Sequence, residues 1–367
     1  MNEKTQPCTH CGAVHPRVNL TWMGSAELCP ECLQRYTVCC DCCGERIWMA
    51  NDYGTHYLHL CASCRANYVT CENCGALIPQ EDAHYNDEDE AYCDSCYERG
   101  YGGTIHNYSY KPEPIFYGDG PLYLGVELEV DEAGMDNINA VQALRAFNQE
   151  NVYGYVKSDG SLNDGFELVT HPCTLETHLQ QVPWRETLEA LRGMGYRSHA
   201  PGTCGLHVHV SRKALGKDVY EQEETIAKLL YIFERFWQEI LRFSRRTESQ
   251  INHWAARYGY KDRGEEILKE AKHGANGRYA CINLTNTDTI EFRVFRGTLK
   301  YNTVIATLQF VANLCRVAIS LPEYRIQEFS WPALIEALTQ DNCPELVQYL
   351  KERNLYVNEP VTAEREV

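Results

Sequence analysis

From residue 123 onward the chain contains short stretches in which apolar and polar residues alternate strictly. YLGVELEVDE (123–132) puts Val126, Leu128 and Val130 on one face and Glu127 and Glu129 on the other, the two-residue period of a half-buried strand. GLHVHVSR (205–212) does the same, with Val208 and Val210 opposite His207 and His209. DTIEFRVFRGT (288–298) sets Ile290, Phe292 and Val294 against Glu291, Arg293 and Phe295. VKSDGSLNDGFELVTHP (156–172) reads as a turn-rich hairpin entering the strand FELVT, which carries Glu167.

Between the strands the period changes to that of helices. Residues 219–246 predict one long amphipathic helix with Ile226, Leu229, Leu230, Phe233, Phe236, Trp237 and Ile240 on its apolar stripe. Residues 302–320 predict a buried helix behind the sheet, and 330–354 one or two short ones. Residues 247–280 are more basic and contain glycine; a lid over a ligand and a solvated helical hairpin are both compatible with that pattern. The expected class is α+β, a curved and mainly antiparallel sheet backed by helices.

The first hundred residues follow a different rule, set by cysteine. Of 19 cysteines, 14 lie before residue 97, in three segments with a period close to 32. Cys8-x2-Cys11 pairs with Cys29-x2-Cys32, Cys40-x2-Cys43 with Cys61-x2-Cys64, and Cys71-x2-Cys74 with Cys93-x2-Cys96, across gaps of 17, 17 and 18 residues. Two CxxC turns supply the four ligands of a tetrahedral Zn²⁺, and these gaps suit a hairpin between them. A disulfide framework would need an oxidising compartment, and the N-terminus MNEKTQPCTH lacks the apolar core of a secretory signal. In CCDCCG the glycine that follows each first knuckle selects Cys40 and Cys43; Cys39 and Cys42 are then spare thiols, with an alternative register still open. So few large apolar residues lie among the cysteines that metal is expected to drive folding of these zinc-stabilised β-hairpin modules. The expected divisions are three repeats over 1–105 (about 1–37, 38–69 and 70–105), a linker over 106–121, a main domain over 122–320 and a helical extension over 321–367.

Charge narrows the partners. The chain carries 34 Lys and Arg against 51 Asp and Glu, a formal net charge of -17. Residues 1–100 alone hold 6 basic and 15 acidic side chains, and each four-thiolate zinc site adds about -2 more. Such a surface repels phosphates, so nucleic acid and anionic membranes are not expected partners. Protein docking or substrate presentation is the expected role of the module, and the cytoplasm the expected compartment.

Any one of the alternating strands has an ordinary explanation, because the wet face of an antiparallel strand is polar. Three such strands whose wet faces collect Glu, His and Arg, in place of Thr, Ser, Lys and Gln, suggest more. Glu127, Glu129, Glu167, His207, His209, Glu291 and Arg293 on one concave face would form a site for divalent metal and phosphate, with carboxylates for Mg²⁺ and arginine for the phosphoryl charge. Neither GxxxxGK[ST] nor GxGxxG occurs, so no glycine-rich loop is available to cradle phosphates.

The ordered set GVELEV, SDGSLNDGFELVTHP, CGLHVHVS and TIEFRVFRGT resembles the amidoligase family over roughly residues 122–320, leaving the cysteine repeats outside. The family is frequent in phage and bacterial genomes and is thought to share the fold and chemistry of glutamine synthetase and glutamate–cysteine ligase. The resemblance implies a glutamine synthetase-like catalytic domain that uses ATP and two or more Mg²⁺ ions to join a carboxylate to an amine through an acyl phosphate. It implies that Glu127, Glu129, Glu167 and Glu291 hold Mg²⁺, and that His207 and His209 contact ATP phosphates or a metal. It further implies that Arg293 and Arg296 stabilise the acyl-phosphate transition state and that Asp159 orients the amine. Arg278 and Asn283, in GRYACINL, are expected to line the nucleotide or acceptor pocket. The zinc module would recruit a protein or peptide substrate, small amines or carboxylates being further candidates; if phage-encoded, the chain would act in the host cytoplasm. Two other readings stand beside this one: a non-catalytic adaptor with a nucleotide-binding domain, and a metal-dependent hydrolase.

Overall fold

A computed structural model of the chain describes residues 5–86, 89–98, 103–273 and 277–357. These form two compact units, Met1–Gly103 and Thr104–Val367, each built on its own principle.

The first unit is a series of two-stranded hairpins with short helices. In its first repeat Thr5–Pro7 pairs with Val14–Pro16, Thr21–Met23 with Ala26–Leu28, and a helix follows over Pro30–Tyr36. The second pairs Thr37–Cys39 with Arg46–Trp48 and has a helical turn over Ala62–Arg65. The third pairs Tyr68–Thr70 with Leu77–Pro79 and Ala91–Tyr92 with His84–Tyr85, before a helix over Asp94–Glu98. Each first knuckle is a tight turn closed by the glycine that follows it: Gly12, Gly44 and Gly75 stand at φ of 74°, 74° and 71° and donate their N–H to the carbonyls of Cys8, Cys40 and Cys71. A side chain there would be strained, which accounts for the CxxCG pattern. Each second knuckle opens a helix. The apolar content is slight, with Leu28 and Leu60 the fully buried aliphatic side chains of the first two repeats and Tyr92 beside the thiols of the third.

The second unit is an eight-stranded sheet with helices packed on one face. Its strands are β1 (Ile105–His106), β2 (Tyr123–Val130), β3 (Gly154–Lys157), β4 (Phe166–Thr170), β5 (Cys173–Thr174), β6 (Gly205–Ser211), β7 (Ile282–Asn283) and β8 (Thr289–Arg296), in the order β1-β3-β4-β2-β6-β8-β7 with β5 beside β2. All these pairings are antiparallel except β1 with β3. The unit is α+β, as the alternation predicts. Val126, Leu128, Phe166, Leu168, Val208, Val210, Ile290 and Phe292 point to one face and are fully buried. Behind them pack α1 (Asn137–Phe147), α2 (Leu175–Gln180), α3 (Trp184–Gly193), α4 (Val219–Arg235) and α5 (Trp237–Ser244). After α6 (Glu248–Trp254) and α7 (Gly264–His273), α8 (Tyr301–Ser320) runs through the core; α9 (Glu323–Gln327), α10 (Trp331–Leu338) and α11 (Pro344–Glu352) complete the unit. Helix α8 is long and apolar enough to cross a membrane, but it is a core helix with 83% of that apolar window buried.

The structure departs from expectation in three places. The helix expected over 219–246 breaks at Phe236 (φ -104°, ψ 33°), which frees Phe236 and Trp237 to turn inward, Phe236 against Trp331. The stretch 106–121, expected as a linker, is laid on the sheet, with Tyr117 bridged to Cys173 and its hydroxyl donating to the Val152 carbonyl at 3.0 Å. The third departure is Phe295, expected beside Glu291 and Arg293. It instead packs in the core against Phe243 and Phe310. A β-bulge causes this: His209 faces Glu291 and Val208 faces Phe292, but Leu206 faces Phe295, so β8 has one extra residue opposite His207.

Candidate functional site

The polar face of the sheet carries rows of residues set by strand register. Lys157 of β3 faces Glu167 of β4, which faces Glu129 of β2. One row along, Tyr155, Val169, Glu127 and His207 succeed one another across β3, β4, β2 and β6. The next row runs Gly125, His209, Glu291 and Asn283. A regular strand would send Arg293 and Arg296, three residues apart, to opposite faces. The bulge restores them to one face, and Arg296 lies opposite Gly205.

His207 is the hub. Its Nδ1 lies 3.2 Å from Glu127 Oε2, 3.6 Å from Glu291 Oε1 and 3.7 Å from Glu129 Oε1. Nε2 of His209 is 3.1 Å from Glu127 Oε1 but out of hydrogen-bond alignment, while its Nδ1 lies 3.3 Å from the Thr289 hydroxyl. Glu291 accepts from Asn283 Nδ2 at 2.8 Å and from Arg293 Nη1. Glu129 accepts the Gly205 N–H, and Glu167 lies 3.3 Å from Lys157 Nζ. Glu129, Glu167, His207 and Glu291 are buried, whereas the side chains of Glu127 and His209 keep 19% and 20% exposure, so the cluster opens to solvent on their side.

The surrounding charges act differently on each carboxylate. Burial works against ionisation of Glu127, yet the His209 and His207 imidazoles outweigh it and hold its carboxyl well below the ordinary range. Burial followed by repulsion from Glu127 pushes Glu167 well above that range, with Lys157 opposing. Burial likewise raises Glu129. Two overlapping triads, Glu127–His207–Glu291 and Glu129–Glu167–His207, each bring their ligand atoms within 4.8 Å of one another. Each triad could hold a divalent ion with carboxylate and imidazole ligands.

The other expected residues are placed as follows. Asp159 lies in the β3–β4 loop, near enough to raise Glu129 and Glu167, and its Oδ1 accepts from the Ser161 N–H at 2.7 Å. Arg296 has an Nε buried without a partner, as does Arg293. Arg278 is not brought to the carboxylates. It donates to the hydroxyls of Tyr108 and Tyr279, and the Tyr108 ring in turn lies 5.8 Å from Lys157 Nζ. Tyr108 follows edge strand β1 and Arg278 precedes opposite edge strand β7, so this contact measures how far the sheet curls.

Sequence reasoning missed Lys157, Asp131 and Arg246. Lys157 sits directly before SDG and could have been found from the hairpin register that pairs it with Glu167. Buried Asp131 closes GVELEVD; it accepts from the N–H groups of Asn163 and Asp164 and from the Thr203 hydroxyl, fixing the SDGSLNDG loop to β2. A cleft of about 460 Å³ elsewhere in this unit is lined by Arg185, Arg192, Lys300 and Glu345, but it contains no buried polar group lacking a partner and none of the motif residues.

In the first unit the twelve cysteines form three quartets, Cys8–Cys11–Cys29–Cys32, Cys40–Cys43–Cys61–Cys64 and Cys71–Cys74–Cys93–Cys96. The Sγ atoms of Cys11 and Cys29, Cys43 and Cys61, and Cys74 and Cys93 stand 3.8, 3.9 and 3.8 Å apart. A tetrahedral ion with sulfur at about 2.3 Å has edges of about 3.8 Å, so each quartet could hold a metal ion. Burial opposes ionisation of Cys8, but the N–H groups of Cys11, Cys29 and His10 outweigh it and bring the thiol down to about 6. Cys40 is likewise brought to about 6, by the N–H groups of Cys61 and Cys43. Both are thus ready to ligate as thiolates. Cys39 and Cys42 are exposed and belong to no quartet.

Among solved structures, a bifunctional glutathione synthetase from Pasteurella multocida is similar at 15% identity with a TM-score of 0.32, over 63% of this chain and 46% of that one. The chain thus spans under half the length of that protein. No curated protein matches. A family model described as "Putative amidoligase enzyme" matches residues 145–315, a stretch that includes Asp159, Glu167, both histidines, Glu291, Arg293 and Arg296, while β2 with Glu127 and Glu129 precedes it. Over residues 145–315 this chain matches the amidoligase family.

Proposed function

We propose that the second unit is an ATP-dependent carboxylate–amine ligase that forms an amide or isopeptide bond through an acyl phosphate. The observation that carries this reading is the pair of carboxylate triads sharing His207, with arginines whose buried N–H groups lack partners on the same face. Magnesium ions held by Glu127 and Glu291 and by Glu129 and Glu167, with His207 available to one of them, would neutralise nucleotide phosphates. Arg293 and Arg296 would take the negative charge of the transferred phosphoryl group. Asp159, on the loop beside Glu129 and Glu167, would accept hydrogen bonds from an incoming ammonium and orient it. Asn283 holds Glu291 in position. No protein nucleophile is required.

In the first unit the three quartets would hold structural Zn²⁺, and its acidic surface would recruit a protein or peptide substrate. We place the chain in a reducing cytoplasm, where the thiolates persist. The test is conversion of ATP to ADP by the full chain with Mg²⁺, pooled carboxylates and pooled amines or peptides, products being read by mass spectrometry. Turnover should require both acceptor classes and be lost in Glu127→Gln and Arg293→Ala. Bond cleavage without ATP would replace this reading with hydrolysis.

A further inference from the structure

Between α5 and α6 the chain turns through Arg245, a non-glycine residue at φ 66°, and this turn delivers the next side chain to the site. That side chain is Arg246, only 6% exposed. Its Nη2 donates to the Phe295 carbonyl at 3.3 Å, on the strand of Arg293 and Arg296. Its Nε and Nη1 are buried and have no partner. A Cβ on Gly205 would fall 2.9 Å from Arg246 Nη2 and 2.3 Å from His207 Nε2, so the guanidinium shares its floor with the hub histidine.

A buried cation without a counter-ion is costly, and the cost is met by an opposite charge that binds there. Burial pulls Arg246 down to about 10; Glu129 opposes that, and Arg293, Arg296 and Arg245 add repulsion. Glu129 accepts the Gly205 N–H and belongs to a His207 triad, and among the described residues no carboxylate forms an ion pair with Arg246. Arg293 and Arg296 each leave a buried Nε donor without a partner too. Three guanidinium groups on one side of Gly205 therefore present four unpaired N–H-bearing nitrogens. Among the described residues no protein acceptor reaches these nitrogens, and a planar fork of N–H donors matches an oxyanion.

We propose that Arg246 joins Arg293 and Arg296 in an oxyanion subsite, which receives a phosphoryl or carboxylate group beside the Glu129–Glu167 carboxylates. The subsite deepens the ligase reading, in which it would hold the group being activated, but binding of the anion does not depend on turnover.

Inorganic phosphate and acetate are the probes, titrated calorimetrically into the full chain with and without Mg²⁺. The variants are Arg246→Met and Arg246→Gln, each first checked for a cooperative melt. Wild type should bind at least one probe, and both variants should weaken it tenfold or more while melting no lower than wild type, because an unpaired buried charge has been removed. Preference for phosphate assigns the subsite to a phosphoryl group, and preference for acetate to a carboxylate. Equal affinity in wild type and a folded variant, or no binding of either probe to wild type at millimolar concentration, would overturn the subsite. A variant that melts well below wild type and binds unchanged would make Arg246 a structural anchor, which also overturns it. If the Met variant does not fold, the Gln variant decides by the same criteria. A chain that binds phosphate through Arg246 but never turns over ATP would retain the subsite and lose the ligase reading.

Discussion

Replacing Gly205 with alanine perturbs the site without removing any functional group. The new Cβ would stand 2.3 Å from Nε2 and 3.0 Å from Cδ2 of His207, and 2.9 Å from Nη2 of Arg246. To reach an ordinary contact of 3.4 Å the imidazole must retreat by about 1.1 Å. It has little room to do so, because its Nδ1 is hemmed by Glu127, Glu291 and Glu129 between 3.2 and 3.7 Å away and the ring is buried. Overpacking of this kind costs about 1–3 kcal/mol of stability. A shift of about 1 Å at a hub shared by both triads should weaken a divalent ion by about 10–100-fold and slow any turnover by about 100-fold. Mn²⁺ titration followed by the paramagnetic resonance of the free ion, together with thermal melting, gives both numbers. Gly193→Ala is the control, since nothing lies within 4 Å of a Cβ there and the site is at the end of α3. A folded Gly205→Ala protein that binds Mn²⁺ as tightly as wild type would refute the geometry assigned to His207.

Three further outcomes follow from buried charges and thiols. His178 is wholly buried, with Nε2 donating to the Leu124 carbonyl at 3.1 Å and Nδ1 accepting from Trp184 Nε1 at 3.3 Å, and burial lowers it from 6.5 to about 4. A depressed histidine leaves stability intact above 6.5 and removes it as pH falls toward 4, up to about 3 kcal/mol in all. Urea midpoints between pH 7.5 and 4.5 should therefore fall less steeply in His178→Gln than in wild type, and equal slopes would refute the assignment. Arg257→Ala should cost about 3 kcal/mol, the low end for a buried pair because Arg257 is partly exposed: it strands Glu234, whose carboxylate takes 2.9 and 2.6 Å bonds from that guanidinium. Glu234→Leu combined with Arg257→Met should recover most of the loss in a thermal melt. Reduced protein should carry three equivalents of zinc, and a strong chelator should make residues 5–98 protease-sensitive while 104–357 stays resistant; equal sensitivity would mean that metal does not hold the first unit.

The strands were legible because strict alternation over six to eight residues has few other solutions, and the cysteine quartets because ligand number and spacing are dictated by the ion. What the alternation could not convey was any break in its own period. The extra residue opposite His207 is marked by neither glycine nor proline, so Phe295 reads as polar-face and Arg296 as core-face until the pairing with β6 is known. The break at Phe236 is equally unmarked; packing of Phe236 on Trp331, a residue about a hundred positions away, accompanies it. Lys157 and Arg246 were hidden for a related reason. One acquires its role through cross-strand register in a strand of only four residues, the other through a turn between two helices.

These hidden residues complete the order of charge along the sheet. From β3 to β8 the polar face runs from Lys157 through Glu167 and Glu129 to Gly205 and Arg296. Carboxylates therefore lie next to guanidinium groups with buried N–H groups that have no partner among the described residues, on either side of a glycine. Glu129 accepts the Gly205 N–H, and among the described residues no ion pair joins it to Arg246 or Arg296. Under the proposed reading this arrangement would suit a ligand that brings both signs, a divalent ion on one side and the oxyanion it accompanies on the other. An adaptor with a nucleotide-binding domain would use the same arrangement, so turnover of ATP, and not its binding, separates that reading from the ligase.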